Sequence, residues 1–261
     1  MTTTLALGTP TGAATGASAP GLGRLTRVEM RKAVDTRAGL WLLVAVGAIA
    51  VLAAVLNATL GRPDTHSFTQ VSGSVAEFTS ILLPVVGILL ITSEWSQRTA
   101  LQTFTLVPRR GRVVLAKLAA GIAIGLVAAL VGLVLSVLAT AVASHPVGGH
   151  PWQNGLAVVG VALLYQGLAL LGGMAFGLLF LNSAVAIVLS FVLPVAWGIL
   201  TGVVNGLQGV QNWLDLNSTE GPLLNNDMTG KHWTQLLVAA IVWIGVPLAV
   251  GLWRLYRKEI A

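Results

Sequence analysis

The chain contains no cysteine. Disulfides, thiolate nucleophiles and cysteine-based metal sites are therefore excluded, and the redox compartment leaves no mark on the sequence. Charge is the second scarcity: Asp, Glu, Lys and Arg make up 9% of the 261 residues, whereas 55% are hydrophobic. Soluble domains carry about a quarter charged residues, so an ordinary aqueous surface cannot be built from this chain. Lysine occurs four times, at Lys32, Lys117, Lys231 and Lys258, and none follows a glycine-rich strand-to-helix turn. The G-x-x-x-x-G-K-[ST] phosphate loop is missing, which excludes ATP hydrolysis by that route on this polypeptide. The short alternating segments of a membrane β-barrel are missing as well.

What is present is a set of long apolar runs. Six of them match a hydrocarbon layer of roughly 30 Å at about 1.5 Å per residue. They cover residues 38–60, 75–92, 113–143, 155–181, 184–204 and 234–252. The expected fold is an all-α polytopic membrane protein with six transmembrane helices, an N-terminal amphipathic interfacial helix and both termini cytoplasmic. The third run exceeds what a bilayer needs, so part of it is expected to project into the cytoplasm. The fourth and fifth are parted only by Asn182 and Ser183, which implies a tight hairpin. Pro84, Pro194 and Pro247 are expected to kink spans two, five and six.

Outside the spans, residues 1–21 are uncharged and rich in Thr, Ala, Gly and Pro, which reads as a disordered tail without a signal-peptide pattern. Residues 22–37 are amphipathic, with Arg24, Arg27 and Arg31 on one side and Leu22, Leu25 and Ala33 on the other. This segment is either an interfacial helix or simply the positive flank of the first span. Thr26 and Glu29 have the spacing of a capping box. With the N-terminus inside, thirteen Lys and Arg residues fall on inner segments, including the basic C-terminal stretch 254–261. Only Arg62 and Lys231 fall outside, a strong positive-inside bias that also requires an even number of spans. The outer stretch 205–233 carries Trp213, Leu214, Leu223 and Trp233 among its acids, too apolar for a solvated loop, and is expected to form short helices at the outer mouth.

Candidate chemistry is sparse. His66, His145, His150 and His232 fall in outer loops at spacings that put no two on one helical face, so they read as ordinary loop residues rather than metal ligands. Glu77 is the only acid near a span interior. It is either the cap partner of Ser74 at the start of span two or a substrate or proton site. Gly121 and Gly125, Gly173 and Gly177, and Gly198, Gly202 and Gly206 recur every four residues, a spacing that lets helices approach closely, within one chain or between two copies. No file of ionisable residues crosses the membrane, which argues against an ion-coupled carrier.

Between Ser93 and Lys117 a basic island, SEWSQRTALQTFTLVPRRGRVVLAK, breaks the apolar pattern. Residues 95–106 can form an amphipathic helix along the membrane, anchored by Trp95, Leu101 and Phe104, until Pro108 ends it. Arg109, Arg110 and Arg112 then face anionic headgroups. Glu94, Thr99 and the TFTLVPRRGRVVLAK stretch resemble the loop between the second and third spans of type-2 ABC transporter permeases, although Arg98 stands where that family often has Gly. With the six spans, the basic N-terminal helix and the long outer segment, the resemblance covers nearly the whole chain after residue 22. It implies a homodimeric exporter permease that recruits two ABC ATPase subunits, with ATP and Mg bound by those partners and no cofactor on this chain. The coupling segment would comprise Glu94, Trp95, Arg98, Thr99, Leu101, Phe104, Pro108, Arg109, Arg110, Arg112 and Lys117. A non-transporting assembly or sensor subunit, or a secondary carrier, is the competing reading. No nucleic-acid partner is implied, because the basic residues flank spans rather than covering a soluble face.

Overall fold

A computed structural model describes residues 21–60, 67–97, 110–143 and 151–257. Helix α1 (Leu22–Asp35) and α2 (Arg37–Leu60) are separated by Thr36 alone, and α2 is the first crossing. Helices α3 (Phe68–Ser80) and α4 (Leu83–Ser96) form the second, followed by α5 (Arg110–Ala143), α6 (Gly155–Phe180) and α7 (Ser183–Val203). A 3-10 turn (Asn205–Leu207), α8 (Gln208–Leu214) and α9 (Leu216–Leu224) then precede the sixth crossing. That crossing is α10 (Gly230–Ala240), a π turn (Ile241–Gly245) and α11 (Val246–Arg257). Six helices are long and apolar enough to span a membrane, and no strand occurs among the described residues. Helices are the expected solution here, because hydrocarbon offers no water to satisfy a backbone amide.

Span two starts a full two turns earlier than its hydropathy indicates. Its polar opening, FTQVSGSV, hides a helix whose inward positions Phe68, Val71 and Val75 are buried. Phe68 packs against Trp152, with ring centroids 5.8 Å apart. Ser67 caps this helix by accepting from Gln70 N. The expected Ser74–Glu77 capping box is therefore overturned: Ser74 Oγ donates back to Gln70 O in mid-helix, and Glu77 is exposed three residues further on. The kink at Pro84 is present. Without an N–H, and with its ring against the preceding turn, Pro84 tightens the chain so that Leu82 N bonds Thr79 O three residues back at 3.2 Å. Pro247 acts differently, since the helix widens into the π turn just before it. Span five passes through Pro194 as a single helix from Ser183 to Val203.

The centre of the bundle is the crossing of α4 with α6. Gly173 lies so close to the Pro84 backbone that no side chain fits between, and a Cβ on Gly177 would stand 3.2 Å from Ile88 Cα. Gly87 from α4 and Gly121 from α5 make equally close approaches to Leu170 and Met174. Leu83, Leu90, Leu170, Met174 and Leu178 fill the space around these glycines. One polar chain runs inside this core: Gln166 Nε2 donates to Thr79 Oγ1, which in turn donates to Val75 O. The α6–α7 hairpin turns at Leu181 in the left-handed region (φ 52°), and Asn182 Oδ1 then caps α7 by accepting from Val185 N at 3.1 Å.

Short helices do occupy the stretch before span six. Asp215 caps α9, its Oδ2 accepting from Ser218 N at 2.9 Å and from Ser218 Oγ at 2.6 Å. Trp243 Nε1 donates to Leu214 O, fastening this layer to span six. Span six begins at Gly230, ahead of the expected residue 234, because Thr229 and His232 form a reciprocal capping box. His232 is thus a helix cap and not a loop residue. Burial and the neighbouring Asp215 charge push the Glu220 carboxyl up to about 7.

Two expectations follow. Gly173→Ala lowers the melting temperature in detergent, at a cost of about 2 kcal/mol or more from overpacking against Pro84. Gly202→Ala, which meets nothing within 4 Å, leaves it unchanged or slightly higher. For Glu220, the folded state retains a proton that the unfolded chain releases, so stability falls as pH rises between the ordinary value of 4.5 and about 7. Glu220→Gln therefore raises the melting temperature at alkaline pH and leaves it unaltered at acid pH.

Candidate functional site

Four charged side chains converge at the end of the bundle that carries α1. Glu29 and Lys32 sit on α1, Glu94 on the last turn of α4 and Lys117 on the second turn of α5. Lys117 Nζ donates to Glu29 Oε2 at 2.7 Å and to Leu90 O at 3.0 Å, and stands 3.4 Å from Glu94 Oε1. Lys32 Nζ donates to Glu29 Oε1 at 2.7 Å and to Glu94 Oε1 at 2.8 Å. Both carboxylates and Lys117 are buried, each no more than 5% exposed, so this is a low-dielectric site and not a surface pair.

The arrangement follows from the local chemistry. Two cations face two anions, so the group carries no net charge into an apolar setting. Both cations are lysines although the chain holds eleven arginines. A compact ammonium with three donors can be enclosed by three oxygens, as Lys117 is, whereas a planar guanidinium would demand a wider fork. Burial alone would lower the Lys32 pKa; its hydrogen bonds and attraction to Glu29 and Glu94 outweigh that and hold it above the ordinary 10.5.

The Thr26–Glu29 capping box is overturned by this network. Helix α1 starts at Leu22 after Gly21, Thr26 Oγ1 donates back to Leu22 O at 3.0 Å, and the Glu29 carboxylate turns inward to the lysines. Beside the quartet lies a cleft of about 680 Å³. Its walls are apolar, from Leu25, Leu42, Leu43 and Leu89, and Ser93 and Lys32 lie on its polar side.

Of the expected coupling residues, Glu94 and Lys117 meet in this quartet. Trp95 is half-buried against the core on the last turn of α4, so it belongs to span two and not to a separate surface helix. Arg110 opens α5, and Arg112 is half-buried on its first turn. Arg98, Thr99, Leu101, Phe104, Pro108 and Arg109 lie outside the described residues. Gly173 and Gly177 face α4, and Gly121 and Gly125 face α6. Gly198 faces Asp215, with 3.6 Å between a Cβ there and Oδ1, whereas Gly202 and Gly206 face open space. The sequence places Glu29 in a capping box and assigns Lys32 no site role. Their one local signal is an acid three residues before a lysine on a basic helix, and the partner of Glu29 is 88 residues away. Among the described residues no group of three His, Asp or Glu side chains could hold a metal ion.

Removing one member of the quartet leaves an opposite charge buried without compensation. Lys117→Met is expected to destabilise the fold by roughly 3–5 kcal/mol, and the Glu29→Gln/Lys117→Met pair to recover part of that loss. Because the folded Lys32 pKa is raised, its contribution is complete below 10.5 and disappears as pH climbs through the higher folded value. Thermal unfolding of native and Lys32→Gln protein should therefore converge only under strongly alkaline conditions.

The bundle and its quartet fall within a recognised family pattern. Residues 27–205, running from α1 to the end of α7 and covering about two thirds of the chain, match the family model described as ABC-2 family transporter protein. No curated protein matches the chain significantly. Membership implies association with an ATPase subunit, in keeping with a chain that has no phosphate loop of its own. On this match and its six membrane-spanning helices, the chain belongs to the ABC-2 family of transporter proteins, as a multi-pass membrane permease.

Proposed function

We propose that this chain is the membrane subunit of an ATP-driven exporter that moves an amphipathic or hydrophobic substrate across the cytoplasmic membrane. The observation that carries this reading is the family match over residues 27–205, which spans α1, the basic island and five of the six crossings. Two copies of the chain form the permease, and two cytoplasmic ATPase subunits bind ATP and Mg and supply the energy. Both termini lie inside. The thirteen-to-two distribution of basic residues supports that orientation, and so does the gathering of α1, the α4 end, the α5 start and the α11 end at one end of the bundle.

In this reading the 93–117 segment receives the ATPase. Glu94 and Lys117 bracket it, and Leu101 and Phe104 supply apolar contacts with Arg109, Arg110 and Arg112 beside them. The open glycines at the end of α7 (Gly202) and in the 3-10 turn that follows it (Gly206) are where the second copy can approach. The apolar character of the cleft and of the lipid-facing helices favours a greasy cargo over a strongly hydrated one.

The expected outcome is that the full-length chain, expressed with the ATPase encoded beside it, purifies as a complex whose ATP hydrolysis depends on the permease. Leu101→Ala with Phe104→Ala should abolish association while leaving the melting temperature of the permease alone unchanged. Full association and unimpaired ATP-dependent transport in that double variant would remove the coupling assignment. Absence of any ATPase in the native preparation would remove the exporter reading itself.

A further inference from the structure

With the Ser74–Glu77 capping box overturned, the Glu77 side chain has no structural task. It is exposed on α3, and its carboxylate accepts no hydrogen bond among the described residues. It lines a second cleft, of about 400 Å³, at the end of the bundle opposite the quartet. The end of α2, the opening turns of α3 and the end of α9 form the walls. The cleft beside the quartet is walled by leucines, whereas this one is lined mainly by amides, hydroxyls and Glu77.

Glu77 is the only charged group in that lining, and no lysine or arginine among the described residues accompanies it. The neutral groups lean toward accepting. Ser74 Oγ has spent its proton on Gln70 O at 2.9 Å and keeps only lone pairs. Asn57 Nδ2 donates to Ala53 O at 2.9 Å and Asn225 Nδ2 to Gly221 O at 3.0 Å. A backbone carbonyl can only accept, so both amides are oriented by these bonds and each keeps an uncommitted Oδ1. Leu224 O is one of the last carbonyls of α9, which no helical N–H reaches. It lies beside α3, 3.5 Å from where a Cβ on Gly73 would stand, and brings the negative end of the helix to the cleft.

Charge and hydrogen bonding together select the ligand. An anion is repelled by Glu77. A divalent cation, which draws six or more oxygens and usually several carboxylates, is half-neutralised by one. A quaternary ammonium has no N–H, and no aromatic face lines this cleft to replace it. A protonated primary amine brings one positive charge and three donors, which match one carboxylate and its neighbouring oxygens.

We propose that this cleft is a binding site for a protonated primary amine, with Glu77 as its ionic partner and Ser74, Asn57 and Asn225 as neutral acceptors. With both termini inside, the site opens on the outer face. Two sources offer the same chemistry there: the ethanolamine headgroup of a phospholipid, and a free amine in the outer medium. The site lies within this chain and needs no ATPase, so it stands or falls apart from the exporter reading.

The probe is ethylamine hydrochloride, and tetramethylammonium chloride is the control with equal charge and no N–H. Binding to the full chain is titrated by saturation-transfer NMR in nanodiscs of phosphatidylcholine, whose headgroup also lacks an N–H. The expected result is saturable binding of ethylamine and none of tetramethylammonium. Glu77→Gln weakens ethylamine by about tenfold or more, the size of one lost charge-assisted hydrogen bond. That variant keeps the native melting temperature, since the carboxylate holds nothing else in place. Asp227→Asn, which removes an exposed acid outside the cleft, leaves ethylamine binding unchanged. Nanodiscs of phosphatidylethanolamine separate the two sources. Weaker ethylamine binding there identifies the headgroup as the resident ligand, and unchanged binding assigns the site to a free amine. The proposal is overturned if ethylamine fails to saturate, if the two cations bind alike, or if Glu77→Gln binds ethylamine as the native chain does. It is equally overturned if Asp227→Asn weakens binding as much as Glu77→Gln, because the effect is then one of surface charge.

Discussion

An ammonium or carboxylate taken out of water must bring its own compensation, and in this protein that requirement organises one whole end of the bundle. Glu29, Glu94 and Lys117 can be buried only with compensation, which the half-buried Lys32 completes, since any one of the three alone would cost several kcal/mol. Their mutual need therefore dictates that α1, the end of α4 and the start of α5 arrive at the same place. The cleft lies against that convergence, lined by Glu29, Lys32 and Glu94, and Glu94 and Lys117 frame the basic island.

A second constraint acts in the middle of the membrane, where no hydrophobic driving force separates one helix from lipid. There the bundle relies on close approach. Gly87, Gly173 and Gly177 let α4 and α6 meet backbone to backbone at the bend imposed by Pro84. The bend and the glycines answer each other: a straight α4 would not present its backbone to Gly173, and a larger residue at 173 would not admit it. Span five has the opposite character, with only Ala186 and Thr201 buried along its length. The family to which the chain belongs assembles such subunits with an ATPase, and a lightly covered helix is compatible with such an assembly.

Much of the architecture was legible in the sequence because hydropathy over about 20 residues is a strong, local signal. The six crossings, the tight turn at Asn182 and the bend at Pro84 all appear where composition and proline chemistry place them. The two failed capping boxes share one cause. At Thr26–Glu29 and Ser74–Glu77 the spacing of a capping box was present, but neither position is a helix start. Tertiary packing extended α3 back to Phe68 over a polar stretch, and long-range charge claimed Glu29 for Lys117. A capping motif is judged against a helix boundary, and boundaries are what short-range patterns locate least well.

The sequence by itself determined that this chain is an all-α membrane protein, that it carries no G-x-x-x-x-G-K-[ST] phosphate loop, and that Glu94 and Lys117 bracket an unusual basic segment. Each of those rests on composition or on neighbours a few residues apart. Only the tertiary structure decided that Glu29 and Lys32 belong with them. It likewise decided that Gly173 and Gly177 serve packing inside the chain while Gly202 and Gly206 remain open. The physical reason is the same in both cases: charge compensation and backbone contact depend on distance in space, and Glu29 and Lys117 stand 88 positions apart along the chain while Pro84 and Gly173 are just as remote from each other.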